Sequence, residues 1–236
     1  MRIWVVNDDG IQAKGIAVLA EHARRFGDVT VIAPEEQCSG MSQRITFSDR
    51  AMTRVPDYPV EGVRAYSVKG TPADCVIAAA DTLPRADLVL SGINAGWNIG
   101  IDILYSGTVG AAMEGLVQRI PAIAFSQAYW PYGFDRDDPS LVAKADQLID
   151  QTIDGILSQL INAKIPANQI WNVNFPGCSP EECRGILYDR VPSQKRYGEP
   201  VLRETPNSDR EALLAHYISV GTVRNMVLRE EDGPSE

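Results

Sequence analysis

Short apolar runs alternate with segments of helical periodicity through most of the chain, and this alternation limits the possible folds. The runs RIWVV (2–6), DVTVIAP (28–34) and ADLVLSGI (86–93) are short and apolar along their whole length, which is typical of strands buried on both faces. Between the first two runs, apolar residues recur at helical spacing. They are Ile16, Leu19, Ala20, Ala23 and Phe26. The pattern predicts an α/β fold, in which helices cover both faces of a mostly parallel sheet.

The alternation continues to about residue 177. Further strands are expected within 63–70 and 121–127, and Thr71 with Pro72 fit the N-cap and first position of the helix between them. An amphipathic helix follows near 141–160, and IWNVNFP (170–176) returns to a strand. These segments predict a single core over residues 1–177.

The remaining chain lacks this rhythm. Pieces such as GILYDRV and HYISVGTV are strand-like but separated by polar, Pro-rich stretches, so a β-hairpin appendage is expected over 178–225 and a disordered tail over 226–236. Isolated hairpins are marginal in water and exposed strand edges pair readily. We therefore expect 178–225 to join subunits into a homodimer or homotetramer. The aromatic and acidic segment 128–139 is expected to be a functional loop or a surface insertion.

Composition excludes several classes of function. The net charge of -9 and the pI near 4.8 argue against binding of nucleic-acid polymers or of anionic membrane surfaces. The four cysteines are scattered and only two histidines accompany them, so neither a zinc site nor a Cys/His nucleophile is indicated. No signal peptide and no run of about 18 apolar residues is evident. The expected location is the cytoplasm.

Polar residues follow several of the predicted strands at the edge where α/β sheets bind ligands. Asp8 and Asp9 follow the first strand, Ser39 follows the second, and Asn94 ends the strand that begins at 86. Two carboxylates, a hydroxyl and an amide carbonyl suit Mg²⁺, Mn²⁺ or Ca²⁺, and such a cation would offset the repulsion between the adjacent acids. A turn with a helix cap is the simpler interpretation of each motif taken alone, and from the residues alone the two interpretations carry about equal weight.

A second motif, YSGTVGAAMEG, places Ser106, Gly107 and Thr108 at the start of a helix, where free N–H groups favour an anion such as phosphate. A capped helix with small residues for close packing is the plainer alternative. A cation beside a phosphate site fits phosphoester hydrolysis. The G-x-G-x-x-G and G-x-x-x-x-G-K-[ST] motifs are absent, and so is Asp-x-Asp after the first strand.

Together, five motifs resemble the SurE survival-protein family of metal-dependent nucleotidases. They are NDDGI, VIAPEEQCSGMS, GTPADCV, SGINAGWNIGIDILYSGTVGAAMEG and WNVNFP. The resemblance implies a Rossmann-like three-layer αβα core with an extended C-terminal oligomerisation element. It implies hydrolysis of nucleoside 5'-monophosphates, and of 3'-monophosphates as a second position, to nucleoside and phosphate. Short polyphosphate is a further substrate in some members.

The resemblance also implies roles for particular residues. One divalent cation per subunit would be held by Asp8, Asp9, Ser39 and Asn94. Of these, Asp8, Asp9 and Asn94 would act in catalysis, with either a water or an aspartate as nucleophile. Phosphate or substrate would be bound by a further set, namely Asn7, Gly40, Asn98, Ser106, Gly107 and Thr108. A broader phosphatase or exopolyphosphatase, and a metal-dependent nucleotide-sensing module without catalysis, remain the alternatives.

Overall fold

The computed structural model describes residues 1–47, 50–128, 139–163, 167–194 and 205–229. Most of the predicted loop 128–139 and of the predicted tail 226–236 lies outside these ranges. Within them, no helix is both long and apolar enough to cross a membrane.

Nine strands form one sheet, in the order β3-β4-β2-β1-β5-β6-β7-β9-β8. The strands are β1 Arg2–Val6, β2 Asp28–Pro34, β3 Met52–Val55, β4 Arg64–Val68, β5 Leu88–Ala95, β6 Ala122–Gln127, β7 Gln169–Phe175, β8 Ile186–Arg190 and β9 Ile218–Arg224. The helices are α1 Lys14–Ala23, α2 Pro72–Thr82, α3 Gly107–Val117, α4 Pro139–Asn162 and α5 Asp209–Leu214, with a 3-10 helix at Gly100–Leu104. Strands β1, β2, β4, β5, β6 and β7 are mutually parallel. The predicted α/β class with a mostly parallel sheet is confirmed.

Two apolar clusters cover the two faces of the sheet. Ile16 and Leu19 of α1 share one cluster with Leu148 and Ile153 of α4. Helices α2 and α3 contribute to the other, which includes Val76 and Ala112. Helix α2 begins as predicted, because the Thr71 side chain accepts a hydrogen bond from the Asp74 N–H and Pro72 occupies the first turn. The molecule therefore has three layers, with the sheet between two pairs of helices.

The C-terminal strands differ from the hairpin that the sequence predicted. Strand β9 pairs antiparallel with β7 and parallel with β8, so β8 and β9 extend the central sheet and form no hairpin. A parallel pair needs a crossover connection, and α5 lies in the segment that joins β8 to β9. The expected hairpin is wrong for this reason, while the role of 178–225 in joining subunits stays a prediction.

The order of the strands creates a ligand-binding edge. Successive connections from β1 lead to β2 on one side, whereas β5 pairs with β1 on the other side, so the strand order reverses between β1 and β5. Crevices at the carboxyl ends of strands beside such a reversal are where open α/β sheets bind ligands. The loops after β1 and β5 meet there.

Candidate active site

Asp8 lies two residues after β1 and is almost completely buried, with 3% of its surface exposed. The Thr108 hydroxyl donates a hydrogen bond of 2.5 Å to its Oδ1 atom. The start of α3 packs directly against this carboxylate, since a Cβ atom at position 107 would lie 2.9 Å from Asp8 Oδ2. Only glycine fits at position 107, and the first turn of α3 therefore faces the acid.

The two adjacent acids have perturbed pKa values. Burial raises the pKa of Asp8 to about 6, and the charge of Asp9 adds to the increase, although the Thr108 hydroxyl opposes it. Burial also raises the pKa of Asp9, against hydrogen bonds from the Ala95 N–H, at 3.2 Å, and from Gln37. Among residues 1–47, 50–128, 139–163, 167–194 and 205–229, no basic side chain pairs with either acid. A buried acid beside a partly buried one, neither with a basic partner, fits a hard cation.

The other two predicted metal ligands lie next to groups that are bonded to these acids. Ser39 is exposed and follows Cys38, whose N–H donates a 2.7 Å hydrogen bond to the Asp8 carbonyl oxygen. Asn94 precedes Ala95, which binds Asp9, and its Nδ2 atom donates to the Gly96 carbonyl at 2.8 Å. This hydrogen bond uses the amide nitrogen and leaves the Asn94 Oδ1 atom available to a cation. An amide oxygen is a ligand of the type that Mg²⁺, Mn²⁺ and Ca²⁺ prefer.

The donor set relies on few acids. No group of three or more His, Cys, Asp or Glu side chains suited to a metal is found in the part of the chain that the structure describes. The four candidates contain only two carboxylates, and the other donors are a hydroxyl and an amide. This composition fits a hard cation and does not fit a zinc site of histidine and cysteine ligands.

Two of the predicted substrate-binding residues shape loops at this edge. The Asn7 Nδ2 atom donates to the Gly10 carbonyl at 3.0 Å and holds the turn that carries the acids, while the Asn7 Oδ1 atom is buried without a partner. Gly40 is exposed and has φ +74°, a backbone conformation that favours glycine. The hydrogen bond of Asn7 and the backbone conformation of Gly40 explain the shape of these loops and do not by themselves identify a phosphate ligand.

The three residues at the start of α3 divide into two roles. Ser106 is the N-cap, and its Oγ atom accepts the Val109 N–H at 3.0 Å, which leaves its own O–H able to donate. The N–H groups in the first turn of a helix have no partner within the helix, so that of Gly107 can also serve an anion. The Thr108 hydroxyl is committed to Asp8. Thr108 therefore supports the acid with its side chain, a role that the sequence did not predict.

Asn98 is buried, with 6% of its surface exposed, and it is held by residues that the sequence analysis did not identify. Its N–H donates to Asn174 Oδ1 at 2.9 Å, and its Nδ2 atom donates to Ser126 Oγ at 2.8 Å. Its carbonyl accepts from Asn172 Nδ2 at 2.9 Å. The signal was present in WNVNFP, because Asn-x-Asn places two polar side chains on one face of an otherwise apolar strand.

Asp209, another residue missed from the sequence, ties the C-terminal part to this edge. Its carboxylate accepts the N–H groups of Gly100 at 2.8 Å, Ser193 at 2.9 Å and Arg210 at 2.7 Å. Burial raises its pKa, and these three hydrogen bonds oppose the increase. Only its place after Ser208, a helix cap, could have marked it in the sequence.

Comparison with known proteins identifies the family. The family model described as "Survival protein SurE" matches residues 3–198. The chain belongs to the SurE family. A SurE protein named 5'-nucleotidase from Methylocella silvestris is 40% identical over 203 residues, which are 84% of this chain and 74% of that protein. The 5'-nucleotidase SurE of Brucella canis is 42% identical over 189 residues, 79% of this chain and 70% of that protein. The crystal structure of the SurE protein from Aquifex aeolicus superimposes with a TM-score of 0.76 at 32% identity, covering 95% of this chain and 93% of that chain.

Proposed function

We propose that this chain hydrolyses nucleoside 5'-monophosphates to nucleoside and inorganic phosphate in a reaction that depends on a divalent cation. The observation that carries the proposal is the adjacent pair of acids Asp8 and Asp9: Asp8 is buried and faces the start of α3, Asp9 is partly buried, and neither has a basic partner among the described residues. Members of the SurE family with about 40% identity to this chain carry the name 5'-nucleotidase. The chain is accordingly an enzyme of the 5'-nucleotidase class, a phosphoric monoester hydrolase.

One cation per subunit would be held by Asp8, Asp9, Ser39 and Asn94, and Mg²⁺, Mn²⁺ and Ca²⁺ all suit these oxygen donors. When bound, the cation supplies positive charge to the transferred phosphoryl group and makes water a better nucleophile at neutral pH. The Thr108 hydroxyl holds Asp8 in place for this role.

The residues of the chain provide the remaining interactions with substrate. The Ser106 hydroxyl, the Gly107 N–H and the Asn98 carboxamide would donate to phosphate oxygens, with Asn7 and Gly40 shaping the neighbouring loops. Asp9 is the less buried acid, and its Oδ2 atom accepts the Ala95 N–H. We assign it the orientation of the attacking water, while Asn94 would contribute its amide oxygen to the cation.

A phosphate-release assay tests the proposal. AMP, GMP, CMP and UMP are compared with 3'-AMP and a short polyphosphate, each with Mg²⁺, Mn²⁺ or Ca²⁺ and with a chelator. We expect release from the 5'-monophosphates to require a cation. Asp8→Asn and Asp9→Asn should each lower it more than about 100-fold, beyond the typical effect of removing an outer partner of a metal ligand.

Asp28→Asn is the matched control, because Asp28 is an exposed acid paired with Arg64, and it should retain activity. Preference for polyphosphate would favour the broader phosphatase. Binding of nucleotide without release would favour the sensing module. Full activity after thorough chelation would contradict the proposed dependence on a metal.

We also propose a homodimer or homotetramer in the cytoplasm. Strand β8 lies at one edge of the sheet, where unpaired backbone groups favour pairing, and Met226 and Val227 are 85% and 89% exposed. All four cysteines are free, which fits a reducing compartment. Light scattering of the full chain would test the assembly, and a monomer at micromolar concentration would contradict it.

A further inference from the structure

The loop after β5 carries Asn98, and this residue is fixed at its backbone and at its side chain. The Asn174 carboxamide makes two hydrogen bonds to the backbone of residue 98, accepting its N–H at 2.9 Å and donating to its carbonyl at 3.2 Å. Asn172 donates to the same carbonyl at 2.9 Å. The backbone at this position is therefore held by side chains of β7.

A separate contact fixes the side chain. The Asn98 Nδ2 atom donates one of its two hydrogens to Ser126 Oγ at 2.8 Å. This bond sets the rotation of the carboxamide, and the second Nδ2 hydrogen remains for a ligand. Ser126 is fully buried on β6, so it cannot itself contact a solvent-borne substrate without a rearrangement.

The polar residues that bind Asn98 lie at buried positions where apolar core residues would be expected. Asn172, Asn174 and Ser126 are all buried, and Ile170, two residues before Asn172, belongs to the apolar cluster under α2 and α3. The Asn172 Oδ1 atom is buried and has no hydrogen-bond partner. Such a group destabilises the folded state, and a residue of the same size without polar atoms would avoid that penalty. The unpartnered Asn172 Oδ1 atom therefore shows that this network is not built for stability alone.

We propose that Asn174 and Ser126, with the help of Asn172, are positioning residues for the phosphate group, because they hold Asn98 with one N–H free to donate to a phosphate oxygen. The inference rests on the proposed function in placing Asn98 at the phosphate. Beyond that function, the network should affect the binding of phosphate and not the binding of the cation or of the base. Inorganic phosphate and every phosphomonoester should therefore respond to its loss equally.

Two substitutions and one control test this role. Asn174→Ala removes both hydrogen bonds to the backbone of residue 98, and Ser126→Ala removes only the acceptor of the side chain. Asn168→Ala is the matched control, because Asn168 is 1% exposed, precedes the opposite end of the same strand and donates to the Leu228 carbonyl. For each protein, calorimetry measures the affinities for inorganic phosphate and for Mn²⁺, and steady-state assays measure KM and kcat for AMP.

We expect Asn174→Ala and Ser126→Ala to weaken phosphate binding about tenfold and to raise KM for AMP by a similar factor. The affinity for Mn²⁺ should stay within about twofold of the wild type, and Asn168→Ala should leave both affinities unchanged. If Asn174→Ala fails to fold, Ser126→Ala decides, since it removes only a hydroxyl. Unchanged phosphate affinity in folded Ser126→Ala would overturn the inference, and so would an equal loss in Asn168→Ala.

The calorimetric measurement of phosphate binding tests the positioning role separately from the proposed hydrolysis. If the wild type binds phosphate but releases none from AMP, the proposed function fails, while the phosphate affinities of the three variants still test the positioning role. If AMP is hydrolysed normally by Asn174→Ala and Ser126→Ala, the proposed function stands and the inference fails.

Discussion

Two buried acids near the same sheet edge have opposite environments. Asp74, at the start of α2, is fully buried and accepts hydrogen bonds from the Arg50 Nε atom at 2.7 Å and from the Thr46 N–H at 3.0 Å. Burial raises its pKa, but hydrogen bonds from Thr71, Thr46 and Arg50 outweigh burial, and the pKa lies below the ordinary value. Asp8 is equally buried and its pKa is raised to about 6.

The difference distinguishes an acid whose charge is compensated within the chain from the one that we propose as a metal ligand. The charge of Asp74 is compensated within the chain by a guanidinium group and backbone donors. Asp8 has another acid, Asp9, as its neighbour, and no basic side chain of the described ranges pairs with either. Perturbed acids of the second kind cluster at functional sites. Burial alone does not distinguish the two acids, whereas the identity of their partners does.

The largest effect on stability is expected from Asp74→Ala. The substitution leaves Arg50, whose side chain is 24% exposed, and the N–H groups of Thr46 and Thr71 without their acceptor, and together the lost hydrogen bonds to the charged carboxylate cost about 3 kcal/mol or more. Urea unfolding should show this decrease in the free energy of unfolding. Asp28→Ala, at the exposed pair with Arg64, should cost less than about 1 kcal/mol. Equal losses in the two variants would show that the Asp74 contacts add nothing beyond a surface pair.

The next effect concerns the pH dependence of Asp8 in the metal-free protein. Its pKa in the folded state, about 6, lies above the ordinary value of 3.8, so the folded state holds the proton more tightly than the unfolded chain does. The resulting stability is present below about pH 4 and is lost as the pH rises through 6, by up to about 3 kcal/mol. In chelator, the wild type should lose this stability relative to Asp8→Asn between pH 4 and pH 7.5.

For Asp74 we expect the opposite dependence of stability on pH. Because its pKa is lowered in the folded state, its contribution is present above the ordinary pKa and is lost as the pH falls. The wild type should therefore lose stability relative to Asp74→Asn on acidification. If the stability contributed by both acids changed in the same direction with pH, the proposed difference between their environments would be wrong.

The smallest effect is expected at the surface. Lys14 pairs with Asp146 and its side chain is 69% exposed, so solvent screens the interaction. Lys14→Ala should change the free energy of unfolding by less than about 0.5 kcal/mol, within the range measured for exposed pairs. Thermal unfolding at low and high salt would measure it, and a decrease comparable with that of Asp74→Ala would contradict the ranking.

The sequence predicted the elements whose signals are local. Thr71 and Pro72 marked the start of α2, and the apolar runs marked β1, β2 and β5, since a strand buried on both faces needs such a run. Strand β3 was missed because it is a short edge strand with two partly buried and two exposed residues. The position of β9 beside β7 was also missed, because that pairing joins segments far apart in the chain.

The same distinction applies to the site. Residue types placed Asp8 and the start of α3 near one edge, and the structure brings Thr108 into contact with Asp8. In this contact the Thr108 hydroxyl donates to the Asp8 carboxylate. That hydrogen bond depends on side-chain geometry, which a sequence motif does not contain. The Asn-x-Asn pattern marks Asn172 and Asn174 as unusual on an apolar strand, but the hydrogen bonds to Asn98 depend on how the loop after β5 lies against β7, which the pattern does not encode.

The central claim is that Asp8 and Asp9 are compensated by a divalent cation, and thermal unfolding with and without Mn²⁺ tests it most directly, with no substrate present. A ligand that binds only the folded state stabilises it by about 2.7 kcal/mol at one hundred times its Kd. The wild type and Asp28→Asn should show a clear rise in Tm with Mn²⁺, while Asp8→Asn and Asp9→Asn should show little or none. A wild-type Tm that does not respond to Mn²⁺, Mg²⁺ or Ca²⁺, or an equal rise in the two site variants, would contradict the claim.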